Sequence, residues 1–464
     1  WWSWHPEARM LFKMLNRAEW KLSTHNPVKM LGNLDRTSFE EAGKDPKFLE
    51  HYDRVIATFK NAMKAGSGWF VENGTHYTDS SIAFFSAEYG LHHSLPFYAG
   101  GLGFLAGDLL KECSDLGIPV VGVGFMYPEG YLKQRITPDG WQMDADETID
   151  RENAPISRVL DGKGDRLVVK VPVIEPPLFV EVWRVQVGRV PLYLIDTDIE
   201  ANDPWNRGIT SHLYRGSPEQ RLRQEIVLGI GGIEVLNTLG IKCSVLHLNE
   251  GHTAFALLER IRERVEKSMS FKQAFDQVRA TTVFTTHTPV PAGHDVFSFP
   301  LMEKYFNAYW PSLELDRDTF LQLGVDPKDS KAGFNMTAFA LKASFYHNGV
   351  SKRHGKVARR MWQSLWPDQP EDKVPIDAIT NGIHVPTWIE PKMKLLFDKY
   401  LGPEWITEHD NPDIWHRVDE IPDHELWGTH QWLKMKLILR IMERARERWI
   451  NETPDPRVIL ASGV

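Results

Sequence analysis

Short apolar segments bounded by glycine or proline alternate with helical patterns through most of this 464-residue chain. The clearest of them share the apolar character of strands buried on both faces: Ile82–Phe85, Pro119–Met126, Ser244–Leu248, Thr282–Thr286 and Ala378–Thr380. Strand–helix alternation constrains a chain to a doubly wound, mostly parallel α/β sheet. Such sheets bind ligands at the carboxyl ends of their strands, so we predict a functional crevice there.

The remaining segments predict how the chain is organised around that sheet. Residues 1–78 show helical spacing, and three β segments near 165–197 predict an antiparallel insertion. We therefore expect a helical segment (1–78), an α/β domain (79–425), and a long helix with the start of another domain (426–464). Within the α/β domain the patterns predict these helices: Leu105–Leu116, Gln220–Leu239, Thr253–Lys267 and a buried one over Met336–His347.

Composition excludes several classes of protein. A net charge of −8 disfavours nucleic acid or an anionic membrane as partner, and no apolar run approaches membrane-span length. The two cysteines, Cys113 and Cys243, lie in no CxxC pair, which favours a reducing, cytoplasmic location. The chain begins at Trp1 and ends soon after a new apolar run starts at Val458, so we expect part of a longer protein.

Residues 98–108 (YAGGLGFLAGD) join the strand Ile82–Phe85 to the helix predicted after it. Gly100, Gly101 and Gly103 remove β-carbons from one turn, so a large anion could reach the backbone N–H groups of a helix N-terminus. By itself this motif leaves two interpretations open: a phosphate or cofactor site, or a plain tight turn.

Polar clusters follow four of the predicted strands: Ser86–Tyr89, Asn249–His252, His287–Pro289 and Asn381–His384. Because the carboxyl ends of parallel strands meet at one edge of a sheet, we expect these clusters to line a single crevice. This convergence is more specific than any one of the motifs.

Two other chemistries are considered for these clusters. A metal site could draw on six side chains: His247, Glu250, His252, His287, His294 and His384. The spacing between His247 and His252 matches no standard zinc pattern, so we predict no metal. Ser-His-Asp hydrolysis is disfavoured because no G-x-S-x-G elbow is present. The 17 tryptophans fit either core packing or stacking on sugar rings.

Several motifs, in order along residues 80–390, resemble those of the α-glucan phosphorylases. Beside the glycine loop, the resemblance rests on Gly140–Met143, Leu248–His252, Thr286–Thr288, His347–His354, and Thr380–Ile383 with Trp388. The details are closer to the shorter bacterial and archaeal type, which carries an extra N-terminal helical segment. Residues 1–78 fit that segment.

The resemblance implies the N-terminal half of a GT-B-type glycosyltransferase, whose two Rossmann-like halves face each other across a cleft. Family members degrade α-1,4-glucan with inorganic phosphate and release glucose 1-phosphate with retained configuration. Their pyridoxal phosphate is bound through a lysine of the second half, which this sequence does not contain. We therefore expect the chain to need a C-terminal half for activity; homo-oligomer formation is left open.

The resemblance also implies roles for individual residues. His287 would be catalytic, its side chain meeting the 6-hydroxyl of the transferred glucosyl unit and its carbonyl lying near the reacting carbon. Gly101 would offer its N–H to phosphate where cofactor and substrate meet. The other implied substrate contacts are Leu102, Glu250, Val350 and Asn381, and the supporting residues are Glu88, His252 and Trp388. Glu250 stands where aspartate is frequent, and Phe104 where many members have arginine.

Two other functions remain open at this point. Starch and glycogen synthases, which use sugar nucleotides, carry a Lys-x-Gly-Gly-type loop near their start, whereas this chain has Ala99-Gly100-Gly101. A glucan-binding module without catalysis is the second alternative.

Overall fold

The computed structural model describes residues 1–64, 66, 68–73, 81–129, 133–137, 139–145, 148–214, 216–290 and 293–452. The predicted 78/79 boundary and the apolar run from Val458 lie outside these residues. The chain divides into two compact units, Trp1–His384 and Val385–Val464, which are described separately.

The strands of the described residues all belong to the first unit. They are β1 (Ser81–Phe85), β2 (Val120–Phe125), β3 (Lys133–Ile136), β4 (Gln142–Ala145), β5 (Ser157–Arg158), β6 (Val168–Val171), β7 (Leu178–Val187), β8 (Val190–Asp196), β9 (Cys243–Asn249), β10 (Thr282–Thr286), β11 (Val296–Phe297), β12 (Phe334–Asn335), β13 (Tyr346–Gly349) and β14 (Asp377–Ala378).

A ten-stranded sheet forms the centre of this unit. Its strands run parallel in the order β14-β13-β10-β9-β1-β2-β8. β7 pairs antiparallel with β8, and β5 and β6 pair antiparallel with β7. Along the chain, β2 and β8 are added to the sheet on one side of β1, and β9, β10, β13 and β14 are then added on its other side. The direction of strand addition therefore reverses between β1 and β9. This switch point is where a doubly wound sheet opens a ligand crevice. The predicted α/β fold is confirmed.

Helices cover the sheet and form the second unit. In the first unit they are α1 (Pro6–Leu15), α2 (Arg17–Leu22), α3 (Pro27–Asn33), α4 (Arg36–Ala42), α5 (Pro46–Ala62), α6 (Trp69–Asn73), α7 (Gly101–Leu116), α8 (Pro204–Arg207), α9 (Pro218–Ile226), α10 (Gly232–Thr238), α11 (Phe255–Glu266), α12 (Phe271–Ala280), α13 (Phe299–Phe306), α14 (Arg317–Gln322), α15 (Met336–Lys342) and α16 (Lys352–Trp362). In the second unit they are α17 (Val385–Trp388), α18 (Pro391–Leu401), α19 (Pro412–His416) and α20 (Asp423–Glu452).

Three predicted helices differ from the observed ones. α7 begins at Gly101, four residues before the predicted start, so the glycines form its first turn. The helix predicted over 220–239 contains a π-helical segment, Val227–Gly231, between α9 and α10. The helix predicted over Met336–His347 is wrong beyond Lys342, because the chain turns there and enters β13.

The N-terminal helices share the core of the sheet. Trp4 is buried in that core, and Asn26 Nδ2 donates to the carbonyl oxygen of Asn153 at 2.7 Å. The second unit has its own core, formed by Leu396, Leu401, Trp405 and Ile421. The boundary between the two compact units, after His384, therefore differs from the domain boundaries predicted at 78/79 and 425/426. Whether the predicted boundaries separate functional domains stays a prediction. Among the described residues, no helix is both long and apolar enough to cross a membrane.

A buried carboxyl on β8 predicts a pH-dependent stability. Asp196 lies opposite Glu181 in the β7–β8 pair, and burial raises the pKa of its carboxyl to about 6, although Arg151 Nη2 lies 2.9 Å from Oδ2. Because this pKa exceeds that of an unfolded aspartate, stability is lost as the pH rises from about 4 through 6. Between those values we expect the unfolding free energy of wild type to fall about 2–3 kcal/mol more than that of Asp196→Asn. Urea unfolding of both proteins at several pH values measures this difference; parallel pH profiles would contradict it.

Candidate active site

The predicted polar clusters lie at the carboxyl ends of parallel strands around the switch point. One cluster follows β1, and the neighbouring clusters follow β9, β10 and β14. The loop after β13, which begins at Val350, lies between the last two of these strands in the sheet order. The sheet thus brings together segments that are up to three hundred residues apart.

Glu88 holds the glycine loop in place. This carboxylate is buried, and its Oε2 accepts hydrogen bonds from the backbone N–H groups of Ala99 at 2.7 Å and Gly100 at 3.1 Å. Its Oε1 accepts from the Tyr214 hydroxyl at 2.8 Å. The predicted supporting residue therefore acts on the backbone that leads into α7.

The glycines of this loop serve different purposes. A β-carbon added at Gly100 or Gly101 would meet no protein atom within 4 Å. A β-carbon at Gly103 would lie 2.5 Å from Tyr98 Cβ and 2.7 Å from Glu88 Oε2, closer than packing allows. Gly103 is thus required by the fold, whereas Gly101, which starts α7, is exposed and faces open space. A helix N-terminus open in this way suits an anion.

The Glu250 carboxylate accepts hydrogen bonds from the loop that follows β10. Its Oε1 accepts from the backbone N–H of His287, from the Thr288 N–H at 2.8 Å and from the Thr288 hydroxyl at 3.1 Å. The Glu250 backbone has a φ of 74°, a strained value for a residue other than glycine. This carboxylate fixes the backbone of the predicted catalytic residue; its role as a substrate contact stays a prediction.

Burial and charge act in opposite directions on this pair. Burial raises the pKa of the Glu250 carboxyl, but the charge of His287, its backbone N–H and two nearby histidines together lower that pKa below its usual value. Burial lowers the pKa of His287, against the opposing effect of Glu250. Near neutral pH the site therefore holds a carboxylate beside a neutral imidazole.

The orientation of the His287 ring is set by a chain of hydrogen bonds. Ser86 Oγ donates to the carbonyl oxygen of Glu88 at 3.0 Å, and Asn249 Nδ2 donates to Ser86 Oγ at 3.1 Å. Asn249 must then present its oxygen to His287 Nε2, 2.7 Å away. Because an amide oxygen only accepts, Nε2 carries the proton of the neutral ring, and Nδ1 is left as an acceptor.

This arrangement makes a prediction for Asn249. Asn249→Asp replaces a neutral acceptor by an anionic one, which favours the protonated ring, so we expect the His287 pKa to rise by about one unit or more. NMR titration of the His287 ring in this chain measures it. Asn249→Ala is the control, because it removes the acceptor without adding charge. An unchanged pKa in Asn249→Asp would show that the two side chains are not coupled.

The next strand end along the sheet brings two further predicted residues together. The Asn381 backbone N–H donates to the Val350 carbonyl oxygen at 3.0 Å, and the Val350 N–H donates to His354 Nδ1 at 3.2 Å. Asn381 is exposed and Val350 half-buried, so both can meet a ligand. Trp388 belongs to the second unit, where its ring is half exposed; its support of the crevice stays a prediction.

His252 and Leu102 complete the set predicted from the sequence. His252 is buried, burial lowers its pKa to about 4, and its Nε2 has no hydrogen-bond partner among the described residues. Its ring lies 6.3 Å from that of Tyr214, which bonds Glu88. Leu102, in the first turn of α7, is half-buried.

The remaining histidines of the metal alternative have protein partners of their own. His247 Nε2 lies 2.9 Å from Thr285 Oγ1, His294 Nδ1 lies 2.9 Å from Thr337 Oγ1, and His384 Nε2 lies 3.0 Å from Asp115 Oδ2. Within the described part of the chain, no group of three or more histidine, cysteine or acidic side chains is arranged to hold a metal ion.

Three residues of the crevice were not identified from the sequence as site residues: Ser86, Asn249 and Tyr214. The first two stand inside polar clusters that the sequence did single out, so their position at a strand end was an available signal. Tyr214 lies far from any motif and reaches Glu88 only through the fold.

The mixed, mostly parallel sheet with its covering helices is an α/β fold consistent with the N-terminal half of a GT-B glycosyltransferase. The chain is 42% identical to the glycogen phosphorylase of Aquifex aeolicus over 467 residues, covering all of this chain and 66% of that protein. It is 41% identical to the maltodextrin phosphorylase of Thermococcus litoralis and 37% identical to the glycogen phosphorylase of Mycobacterium tuberculosis, covering 54% of each. The chain therefore belongs to the glycogen and maltodextrin phosphorylase family.

Two further findings define the extent of the match. The chain spans only 54–66% of the length of these curated relatives. Residues 1–95 match a family described as a protein of unknown function (DUF3417). The matched range includes the N-terminal helices and β1.

Proposed function

We propose that this chain is the N-terminal part of an α-1,4-glucan phosphorylase, which cleaves glucan with inorganic phosphate and releases glucose 1-phosphate. The observation that carries the proposal is the crevice at the β1–β9 switch point. There an open helix N-terminus follows β1 and an oriented, neutral histidine follows β10, and only β9 lies between these two strands in the sheet. The relatives named above support the reaction. The C-terminal part of the complete protein would supply the other wall of the cleft.

The His287 ring would accept a hydrogen bond from the glucosyl unit, and the direction of the accepting nitrogen is fixed before the sugar binds. With Nε2 bonded to Asn249, the ring offers Nδ1 to a sugar hydroxyl, in line with the contact to the 6-hydroxyl implied by the family. The Glu250 carboxylate holds the His287 backbone, so the carbonyl of this residue keeps its position while positive charge develops on the reacting carbon. Asn381 and Val350 would border the same sugar.

Gly101 would bind phosphate through its backbone N–H. The open space beside Gly101 and the helix N-terminus fit a phosphate group, whether of the cofactor or of the substrate. Pyridoxal phosphate, when bound in the complete protein, supplies a phosphate that exchanges a proton with the substrate phosphate. Its lysine is expected in the C-terminal part. The ring centroids of Phe104 and Tyr98 lie 4.7 Å apart. Because the Phe104 side chain is uncharged, it cannot replace arginine as a ligand for an anion.

The proposal is tested with a chimera in which this chain replaces the matching part of the Aquifex aeolicus relative. We expect phosphate-dependent release of glucose 1-phosphate by the chimera and none by residues 1–464 alone, which should also lack pyridoxal absorbance at 330–420 nm after purification. Both proteins are assayed with maltoheptaose, with and without inorganic phosphate.

Other outcomes would identify the alternatives. Elongation of maltoheptaose from a sugar nucleotide would identify a glucan synthase. Glucan binding with no turnover by the chimera, beside an active Aquifex control, would identify a glucan-binding module. We also propose a cytoplasmic location, which the two free cysteines support.

A further inference from the structure

A second concave site lies at the opposite edge of the sheet from the crevice. It is a cavity of about 410 Å³ at the amino ends of β1 and β9, beside the last turns of α10 and α11. Its wall includes apolar side chains such as Ala83, Leu236 and Leu246. None of its lining residues belongs to the proposed active site.

The charged side chains of this cavity are mostly cationic. Lys242, Arg260, Arg264 and Lys267 line it, together with a single acid, Glu263. Glu263 is already engaged, because its Oε1 accepts a hydrogen bond from Asn237 Nδ2. The cavity therefore concentrates positive charge in a chain whose net charge is −8.

Arg260 is the unusual member of this group. Its side chain is buried, with 6% of the residue exposed, and Nη2 donates to the Cys243 carbonyl oxygen at 3.3 Å. Nη1 is also buried and has no hydrogen-bond partner among the described residues. Burial and the nearby Arg264 lower the Arg260 pKa to about 10, so the guanidinium is still charged at neutral pH. The Glu263 carboxylate offsets part of this buried charge, because it raises the Arg260 pKa against the effect of burial, and a bound anion would offset more of it.

We propose that this cavity, here called the basic cavity, binds a small phosphate-bearing anion, with Arg260 at its base and Arg264 and Lys267 at its rim. The cations would bind the phosphate, and the apolar wall would accept the rest of a phosphate ester. The site does not depend on the proposed phosphorylase activity, because it shares no residue with the crevice.

A simpler explanation is that the cations only offset the negative helix ends. α10 and α11 both end at this edge, and basic residues are favoured in the last turn of a helix. That explanation accounts for the exposed Lys267 but not for the buried, unpartnered Nη1 of Arg260. It also makes a different prediction: the cations would affect stability and bind no ligand.

Isothermal titration of this chain with pyrophosphate at low ionic strength tests the proposal. We expect saturable binding whose Kd rises about tenfold or more in Arg264→Gln and about threefold or more in Lys267→Gln. Both residues are less buried than Arg260, so these variants should fold even if Arg260→Gln does not. Lys272→Gln, an exposed cation on α12 paired with Asp276, is the matched control and should bind as wild type does.

A crevice variant separates this proposal from the proposed function. Gly101→Val should leave pyrophosphate binding at the basic cavity unchanged. If Gly101→Val abolishes binding while Arg264→Gln and Lys267→Gln do not weaken it, the anion lies in the crevice, and the basic cavity is not an anion site. An absence of saturable binding, or binding equally strong in all four variants, would also overturn the proposal.

Discussion

Replacing His287 by alanine is expected to lower kcat/KM for phosphorolysis by roughly 10²-fold or more in the two-part chimera. Loss of one oriented contact made mainly in the transition state costs about 3 kcal/mol. His287 Nε2 lies 2.7 Å from Asn249 Oδ1, and the His287 backbone N–H donates to Glu250 Oε1, so the ring is positioned before substrate binds. Initial rates with maltoheptaose and phosphate give the ratio.

Controls separate catalysis from stability and from metal binding. The melting temperature of His287→Ala should change little, and His430→Ala, which removes an exposed histidine of α20, should keep wild-type rates. A chelator should have no effect on the wild-type enzyme. Activity lost with a chelator and restored by zinc would favour a metal site instead.

The glycine loop supplies the second large effect, as a contrast between two neighbouring positions. Gly103→Ala places a β-carbon against Tyr98 and Glu88, so we expect a loss of about 2–3 kcal/mol in unfolding free energy. Gly101→Val meets open space, so its stability should change by less than about 1 kcal/mol. In the chimera, however, Gly101→Val should raise the KM for inorganic phosphate about tenfold or more, because the valine side chain would occupy the phosphate position.

Melting temperatures and phosphate kinetics, measured side by side, decide between the two uses of the loop. If Gly101→Val lowers the melting temperature as Gly103→Ala does and leaves the KM for phosphate unchanged, the loop is only a tight turn. Glucan binding should be similar in wild type and Gly101→Val, because the change is confined to the phosphate position.

The parallel sheet and the gathering of polar clusters could be predicted because both depend on local patterns. An apolar strand such as Thr282–Thr286 is recognisable from its own residues, and the parallel arrangement then places His287 at the crevice. The glycine stretch was likewise recognisable, although the sequence could not distinguish Gly101 from Gly103. That difference arises from Tyr98 and Glu88, which contact only one of the two positions.

The features that were missed depend on tertiary contacts. The apolar run Met336–His347 has helical spacing, yet His347 lies in β13, where its ring nitrogens are 2.8–2.9 Å from the carbonyl oxygens of Leu341, Ser344 and Pro375. The π-helical segment has no signal in the periodicity of residues 220–239. The direction of the Glu250 carboxylate depends on donors 37 and 38 residues away, which no motif reveals.

The measurement that tests the central claim most directly is phosphorus NMR of the chimera incubated with maltoheptaose and inorganic phosphate. The account predicts that the inorganic phosphate signal falls while an equal amount of α-glucose 1-phosphate forms, and that neither changes with residues 1–464 alone. Release of free glucose without consumption of phosphate, by a chimera whose Aquifex parent forms glucose 1-phosphate, would contradict it.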